Sequence, residues 1–218
     1  VFTQTFYDTL LLAQITKKIS NRIYFCVGGT QHLRMFLDET LSHSEIDFAV
    51  RGEGEVIFAN LLEALELNKP LHEVEGISFK KNGEIISVGE EGYIKEINEF
   101  PPPAFEMLPT EKYKSAIGSG KTAGTIATSR GCPYQCKFCD HPYRTYRAYS
   151  TERILSEINY FYIRGIKEFV FFDDMFNITP KRVIELSAAM LKVFPDIAWS
   201  FRGRADQVTE EMILIAKK

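Results

Sequence analysis

Short apolar runs alternate with amphipathic helical stretches along both halves of the chain, and this alternation limits the fold more than any other feature. Val1 to Thr5 reads as a strand. Phe6 to Ile19 reads as a helix in which Leu10, Leu11, Ile15 and Ile19 recur at helical spacing. Ile23 to Val27 and Ile46 to Val50 read as further strands, joined by a helix over about His32 to Ser42. Phe58, Leu61, Leu62 and Leu65 stripe the next helix. Repetition of this kind implies an α/β fold with a parallel sheet and crossover helices. Ligands of such sheets bind beyond the carboxyl ends of the strands. Gly28-Gly29 and Gly52/Gly54 lie at those ends. Glycine there lets a ligand approach the backbone closely, although on spacing alone a tight turn is the simpler reading. The pattern is not the G-x-G-x-x-G of a dinucleotide site.

The second half carries the chemistry. Thr122 to Ser129 reads as a strand, and the loop Cys132-Pro133-Tyr134-Gln135-Cys136-Lys137-Phe138-Cys139 follows it directly. Three thiols at C-x3-C-x2-C suit an iron–sulfur cluster, whose cubane form takes four ligands. Three from this loop would leave one iron open to a small molecule. The same thiols with His141 would make a tetrahedral zinc site, but zinc sites more often show two separated cysteine pairs. Three close cysteines cannot pair off completely as disulfides. The remaining thiol, Cys26, falls inside a strand and reads as buried and inert.

Beyond the loop, Ser150-Thr151 opens a helix with Ile154, Leu155, Ile158, Phe161 and Tyr162 on one face. Phe169 to Phe172 is a continuous apolar run, the pattern of a strand buried on both faces, and it ends in Asp173-Asp174. Thr179-Pro180 starts another helix. Ile197 to Phe201 is a strand ending in Arg202-Gly203-Arg204-Ala205-Asp206, and Thr209 starts the last helix. Barrels of such units place chemistry at the carboxyl ends of their strands. The cysteine loop, Asp173-Asp174, and Arg204 with Asp206 all occupy that position.

Between the halves, Gly76 to Val88 reads as a β-hairpin turning at Asn82-Gly83, followed by Pro101-Pro102-Pro103, a stiff linker. The expected domains are 1–70, a connector over 71–120, and 121–218. A net charge of −3 gives no reason to expect nucleic-acid binding. No apolar run approaches the roughly 20 residues of a membrane span. Clustered free thiols point to a reducing cytoplasm. A first residue that is not Met and a last residue inside a helical pattern suggest a piece of a longer chain.

With Phe138 just before the last cysteine, the loop resembles the cluster-binding loop of the radical S-adenosylmethionine (SAM) enzymes, written C-x3-C-x-aromatic-C. Val27-Gly28-Gly29-Thr30-Gln31-His32 and Ile46-Asp47-Phe48-Ala49-Val50-Arg51-Gly52-Glu53-Gly54-Glu55 resemble the cobalamin-binding domain that precedes many radical SAM domains. The resemblance implies a partial Rossmann-like (flavodoxin-like) cobalamin domain, then the first half of a radical SAM partial (β/α) barrel. It implies a [4Fe-4S] cluster on Cys132, Cys136 and Cys139, with SAM on the open iron. Phe138, Asp173, Asp174 and Arg204 would lie near the cofactor, and Gly28, Gly29, Gly52 and Gly54 near cobalamin. His32 reads as a helix-start residue and not a cobalt ligand. The implied function is reductive cleavage of SAM to a 5′-deoxyadenosyl radical, cobalamin-dependent and of methyltransferase type. The alternatives are an oxidative or cyclase-type radical SAM enzyme without functional cobalamin, and a non-catalytic iron–sulfur or zinc module. An electron donor such as flavodoxin or ferredoxin and a small-molecule substrate are the implied partners. The substrate contacts of the family come largely from later strands, so this stretch alone is expected not to turn over.

Overall fold

The structure, a computed structural model, describes residues 2–114, 122–139 and 143–217, with residues 30 and 31 described by backbone alone. It divides into two compact units, Val1–Ile94 and Lys95–Lys218. The boundary expected at 120/121 lies outside the described residues, as do Val1 and His141.

The first unit runs α1 (Phe6–Ile19), β1 (Cys26–Gly28), α2 (Thr30–Ser42), β2 (Phe48–Val50), α3 (Gly54–Glu66), β3 (Ile77–Lys81) and β4 (Glu84–Ser87). Strands β1 and β2 are parallel, with Gly28 opposite Val50. The sheet does not stay parallel. The hairpin assigned by sequence to the connector adds β3 antiparallel to β2, and β4 antiparallel to β3. An open β2 edge would leave backbone N–H and C=O groups unpaired. Pairing also sets Phe79 opposite Phe48 and Ile77 opposite Val50, which closes an apolar core with Ile57 and Leu61. Asn82 (φ +54°) and Gly83 (φ +85°) make the tight turn that their sequence announced.

Ala49 points to the other side of the sheet, into a second core with Ala13, Val27, Leu33, Leu41 and Ile46. The chain before α1 is not the expected strand. Thr3–Thr5 is a 3-10 turn, in which Thr5 Oγ1 accepts from Phe2 N (3.2 Å) and donates to Phe2 O (3.1 Å). Such local bonds compete with a β ladder. The stripe expected to bury α1 is largely outside: Leu11, Ile15 and Ile19 are exposed, while small Ala13 is fully buried. In α3, Leu61 is buried as expected, but Phe58 and Leu62 are exposed and Ile57 and Ala64 take their places.

His32 is a core side chain, stacked on Phe6 at 4.3 Å between centroids, with Nε2 3.1 Å from Thr40 Oγ1. Cys26 is half-buried, and burial, helped by the charge of Asp47, pushes its thiol up to about 11. That leaves about one thiol in a thousand ionised at pH 8. Iodoacetamide at pH 8 is therefore expected to label exposed Cys139 in the metal-free chain and to leave Cys26 unmodified until the fold is denatured. Peptide mass analysis checks this.

The second unit contains β5 (Ala123–Ile126), β6 (Ser129–Arg130), β7 (Arg147–Ala148), α4 (Thr151–Tyr162), β8 (Glu168–Phe171), α5 (Pro180–Val193), β9 (Ala198–Phe201) and α6 (Glu210–Ala216). Strands β5, β8 and β9 form a parallel sheet in that order. Its three helices start at caps legible in the sequence. Ser150, Thr179 and Thr209 each accept from the backbone N–H three residues on. One face of the sheet is buried: Phe169 packs on Phe161 of α4, and Phe171, Trp199 and Phe201 surround Phe176. The other face is more open. Thr125 and Phe172 are exposed and Val170 is only half-buried, so β8 is not buried on both faces as its continuous apolar run suggests. The pleat turns alternate residues away from the helices, whatever their hydrophobicity. Among the described residues no helix is long and apolar enough to cross a membrane.

Candidate metal centre

Ile126, Phe171 and Phe201 end their strands and sit in register across the sheet. The segments that follow them therefore leave along one edge. These are the cysteine loop, Phe172-Asp173-Asp174, and Arg202 to Asp206.

A short antiparallel ladder closes the neck of the cysteine loop, with Ser129 opposite Ala148 and Arg130 opposite Arg147. Gly131 has φ +84°, and a Cβ there would lie 2.2 Å from the Thr145 carbonyl oxygen. Only glycine fits both demands. Within the loop, Cys132 N donates to Tyr143 O (3.0 Å) and Cys139 N to Cys136 O (3.0 Å). The Arg144 guanidinium donates to Tyr134 O. Cys132 and Cys136 are half-buried, Cys139 is exposed, and none is in a disulfide. Phe138 is 92% exposed, so its ring stands clear of the protein beside the last cysteine.

The two aspartates divide their roles. Asp173 is buried, and its Oδ1 accepts from Thr128 N (2.6 Å). Its Oδ2 accepts from Thr128 Oγ1 (2.6 Å) and Ser129 Oγ (2.5 Å). Arg182 Nη2 backs this up at 2.9 Å from both Thr128 O and Thr128 Oγ1. Burial pushes the Asp173 carboxyl up, against the pull of these donors. Asp174 is exposed, and its Oδ2 accepts from Gly131 N (3.1 Å), at the root of the cysteine loop. Asp173 thus holds the start of the loop from inside, while Asp174 faces outward beside it.

Arg204 reaches across from β9. Its Nη1 lies 3.5 Å from Cys136 Sγ, and its Cζ lies 4.1 Å from the centre of the Tyr134 ring. Nε and Nη2 both donate to the Asp206 carboxylate, at 2.8 and 2.5 Å. That pairing holds Asp206 below the usual carboxylate range. Tyr134, Asn177 and Arg182 are partners that sequence reasoning missed. Tyr134 had a signal, as an aromatic between the first two cysteines. Asn177 and Arg182 had none, because they matter only once neighbouring strand ends lie side by side.

The glycines belong to the first unit, at the ends of β1 and β2. Gly29 (φ +121°) and Gly52 (φ +83°) occupy backbone that other residues rarely adopt. A Cβ on Gly54 would press on Val50 Cγ1 at 3.1 Å, so that glycine serves packing. Gly28 is exposed, and a Cβ there would meet nothing nearer than Val50 O at 4.0 Å. Of Gly28 and Gly54, Gly28 has the more open surroundings.

Among the described residues no group of three or more His, Cys, Asp or Glu side chains is gathered so as to hold a single metal ion. A cube spreads its thiolates over separate iron atoms, so its ligands need not converge on one point. Three soft, unbridged sulfurs on one loop fit that group.

No protein-family model matches the chain. It is 33% identical over 221 residues to the uncharacterized methyltransferase PH0819 of Pyrococcus horikoshii, covering 99% of this chain and 47% of that protein. It is 25% identical over 220 residues to the anaerobic magnesium-protoporphyrin IX monomethyl ester cyclase of Rubrivivax gelatinosus, covering 98% of this chain and 39% of the cyclase. The solved structure of the cobalamin-dependent S-adenosylmethionine radical enzyme OxsB superposes with a TM-score of 0.71 at 25% identity, covering 99% of this chain and 32% of OxsB. The chain is a relative of the cobalamin-dependent radical SAM enzymes. Both units of this radical SAM relative lie within the OxsB match. The chain spans less than half the length of each of these proteins.

Proposed function

We propose that the chain is the cobalamin- and cluster-binding part of a radical SAM enzyme of methyltransferase type. The observation that carries the reading is the convergence of Cys136, Asp174 and Arg204 on one sheet edge, with Gly131 N donating to Asp174 and Arg204 Nη1 beside Cys136 Sγ. Cys132, Cys136 and Cys139 would hold a [4Fe-4S] cluster. Once bound and reduced, such a cluster supplies the electron that cleaves SAM to a 5′-deoxyadenosyl radical. A one-electron donor of the flavodoxin or ferredoxin type would deliver that electron. The protein's task is to orient the group and keep water away. Asp174 suits the ammonium of SAM better than Asp173, whose carboxylate is taken up by Thr128 and Ser129. Thiols that must stay reduced suit the cytoplasm, with a small molecule as substrate.

The methyltransferase reading is preferred because the methyltransferase relative is more similar than the cyclase over nearly the same span. Cobalamin fits the first unit at exposed Gly28, where a Cβ would meet nothing nearer than Val50 O at 4.0 Å. Gly28→Val tests it, since β1 accepts a β-branched residue at that open position. The variant is expected to keep the parent's melting temperature and to lose at least tenfold in hydroxocobalamin retained through gel filtration. Equal retention by both proteins would remove Gly28 from the site. For the cluster, anaerobic reconstitution is expected to give about four irons per chain and a visible charge-transfer band. One zinc and no visible absorption would replace this reading with the zinc module.

A further inference from the structure

Arg204 is held more firmly than a side chain at an open sheet edge requires. Asn177 is fully buried and grips its backbone from both sides: Oδ1 accepts from Arg204 N (2.9 Å), and Nδ2 donates to Arg204 O (2.8 Å). The neighbouring Gly203 permits this grip, because a Cβ there would lie 2.1 Å from Asn177 Oδ1. Asp206 then takes Nε and Nη2 with its two oxygens. A guanidinium is a rigid planar fork, so fixing two nitrogens aims the third. The third is Nη1, which points at Cys136 Sγ, while Tyr134 supports the plane. The Arg204–Asp206 pair is thus a dipole with its positive end toward one cysteine sulfur.

We propose that Arg204 is a positioning residue that raises the reduction potential of the cluster held by Cys132, Cys136 and Cys139, by donating to the sulfur of Cys136. This rests on the cluster reading above. Reduction adds one electron to the cluster, and its charge spreads onto the thiolate sulfurs. Hydrogen bonds to those sulfurs and nearby positive charge stabilise the reduced form and set the potential. With Nε and Nη2 on Asp206 and Nη1 on Cys136, the guanidinium is committed to the loop and not to a carboxylate of SAM.

The test is a potentiometric titration of the whole chain, reconstituted anaerobically, without SAM, using a low-potential chemical reductant and mediators. Iron analysis of the parent comes first: a parent that takes up no cluster ends the cluster reading itself, before any variant is made. Given a loaded parent, Arg204→Gln is expected to hold the same iron and to have a more negative midpoint. At the parent's midpoint its ratio of reduced to oxidised cluster should fall about tenfold, which is about 59 mV for one electron. Arg204→Met should shift the same way, and Arg204→Lys, which keeps a charged donor, should recover part of the shift. A full cluster with an unchanged or more positive midpoint in the Gln and Met variants overturns the proposal. So does loss of the cluster from both, which would make Arg204 a residue of loop folding alone.

Discussion

Cys136→Ala will take up less than one iron per chain under conditions that load about four into the parent. Cys136 is the middle thiol, pinned between the Cys139 amide that donates to its carbonyl and the Arg204 guanidinium at its sulfur. Without it, two thiols on one loop remain to hold a cube, and the positive fork of Arg204 faces a methyl group. Cys26→Ala is the control and should load fully, because that thiol lies in the other unit, in β1. Anaerobic iron and sulfide analysis reads both. Full loading of Cys136→Ala would remove this loop from the cluster.

Asp173→Ala is expected to lower unfolding stability of the second unit by about 3 kcal/mol, the cost of leaving buried donors without an acceptor. Thr128 N is a fixed backbone donor to Asp173 Oδ1, whereas the hydroxyls of Thr128 and Ser129 can rotate. Arg182, whose Nη2 donates to Thr128, would also lose the negative charge it faces. Asp174→Ala, at an exposed position, should cost less than 1 kcal/mol. Urea unfolding followed by circular dichroism distinguishes the two. Equal stability of the two variants would mean that Asp173 does not anchor the loop.

Much of this arrangement was legible in the sequence where local chemistry decides it. Ser150, Thr179-Pro180 and Thr209 marked three helix starts, and Asn82-Gly83 marked a turn, because caps and turns are set by a few adjacent residues. The three clustered thiols stood out because their spacing is itself the signal. Periodicity failed where it had to say which side of an element is covered. Leu11, Ile15 and Ile19 have helical spacing yet lie outside, because what buries a helix face is its neighbours. The hairpin's docking onto β2 was invisible for the same reason: pairing between Ile77 and Val50 spans 27 residues. At the site, Asp173 and Asp174 are adjacent in sequence and identical in type. Only the pleat at the end of β8 sends one inward to Thr128 and leaves the other exposed.

The central claim is that three sulfurs leave one iron of a cube open for SAM. Electron paramagnetic resonance of the reduced, reconstituted chain with and without SAM tests it most directly. The account predicts a signal of a single-electron-reduced [4Fe-4S] cluster whose g values and line shape change on adding SAM, in proportion to SAM bound. A cluster signal that is identical with and without saturating SAM would contradict it.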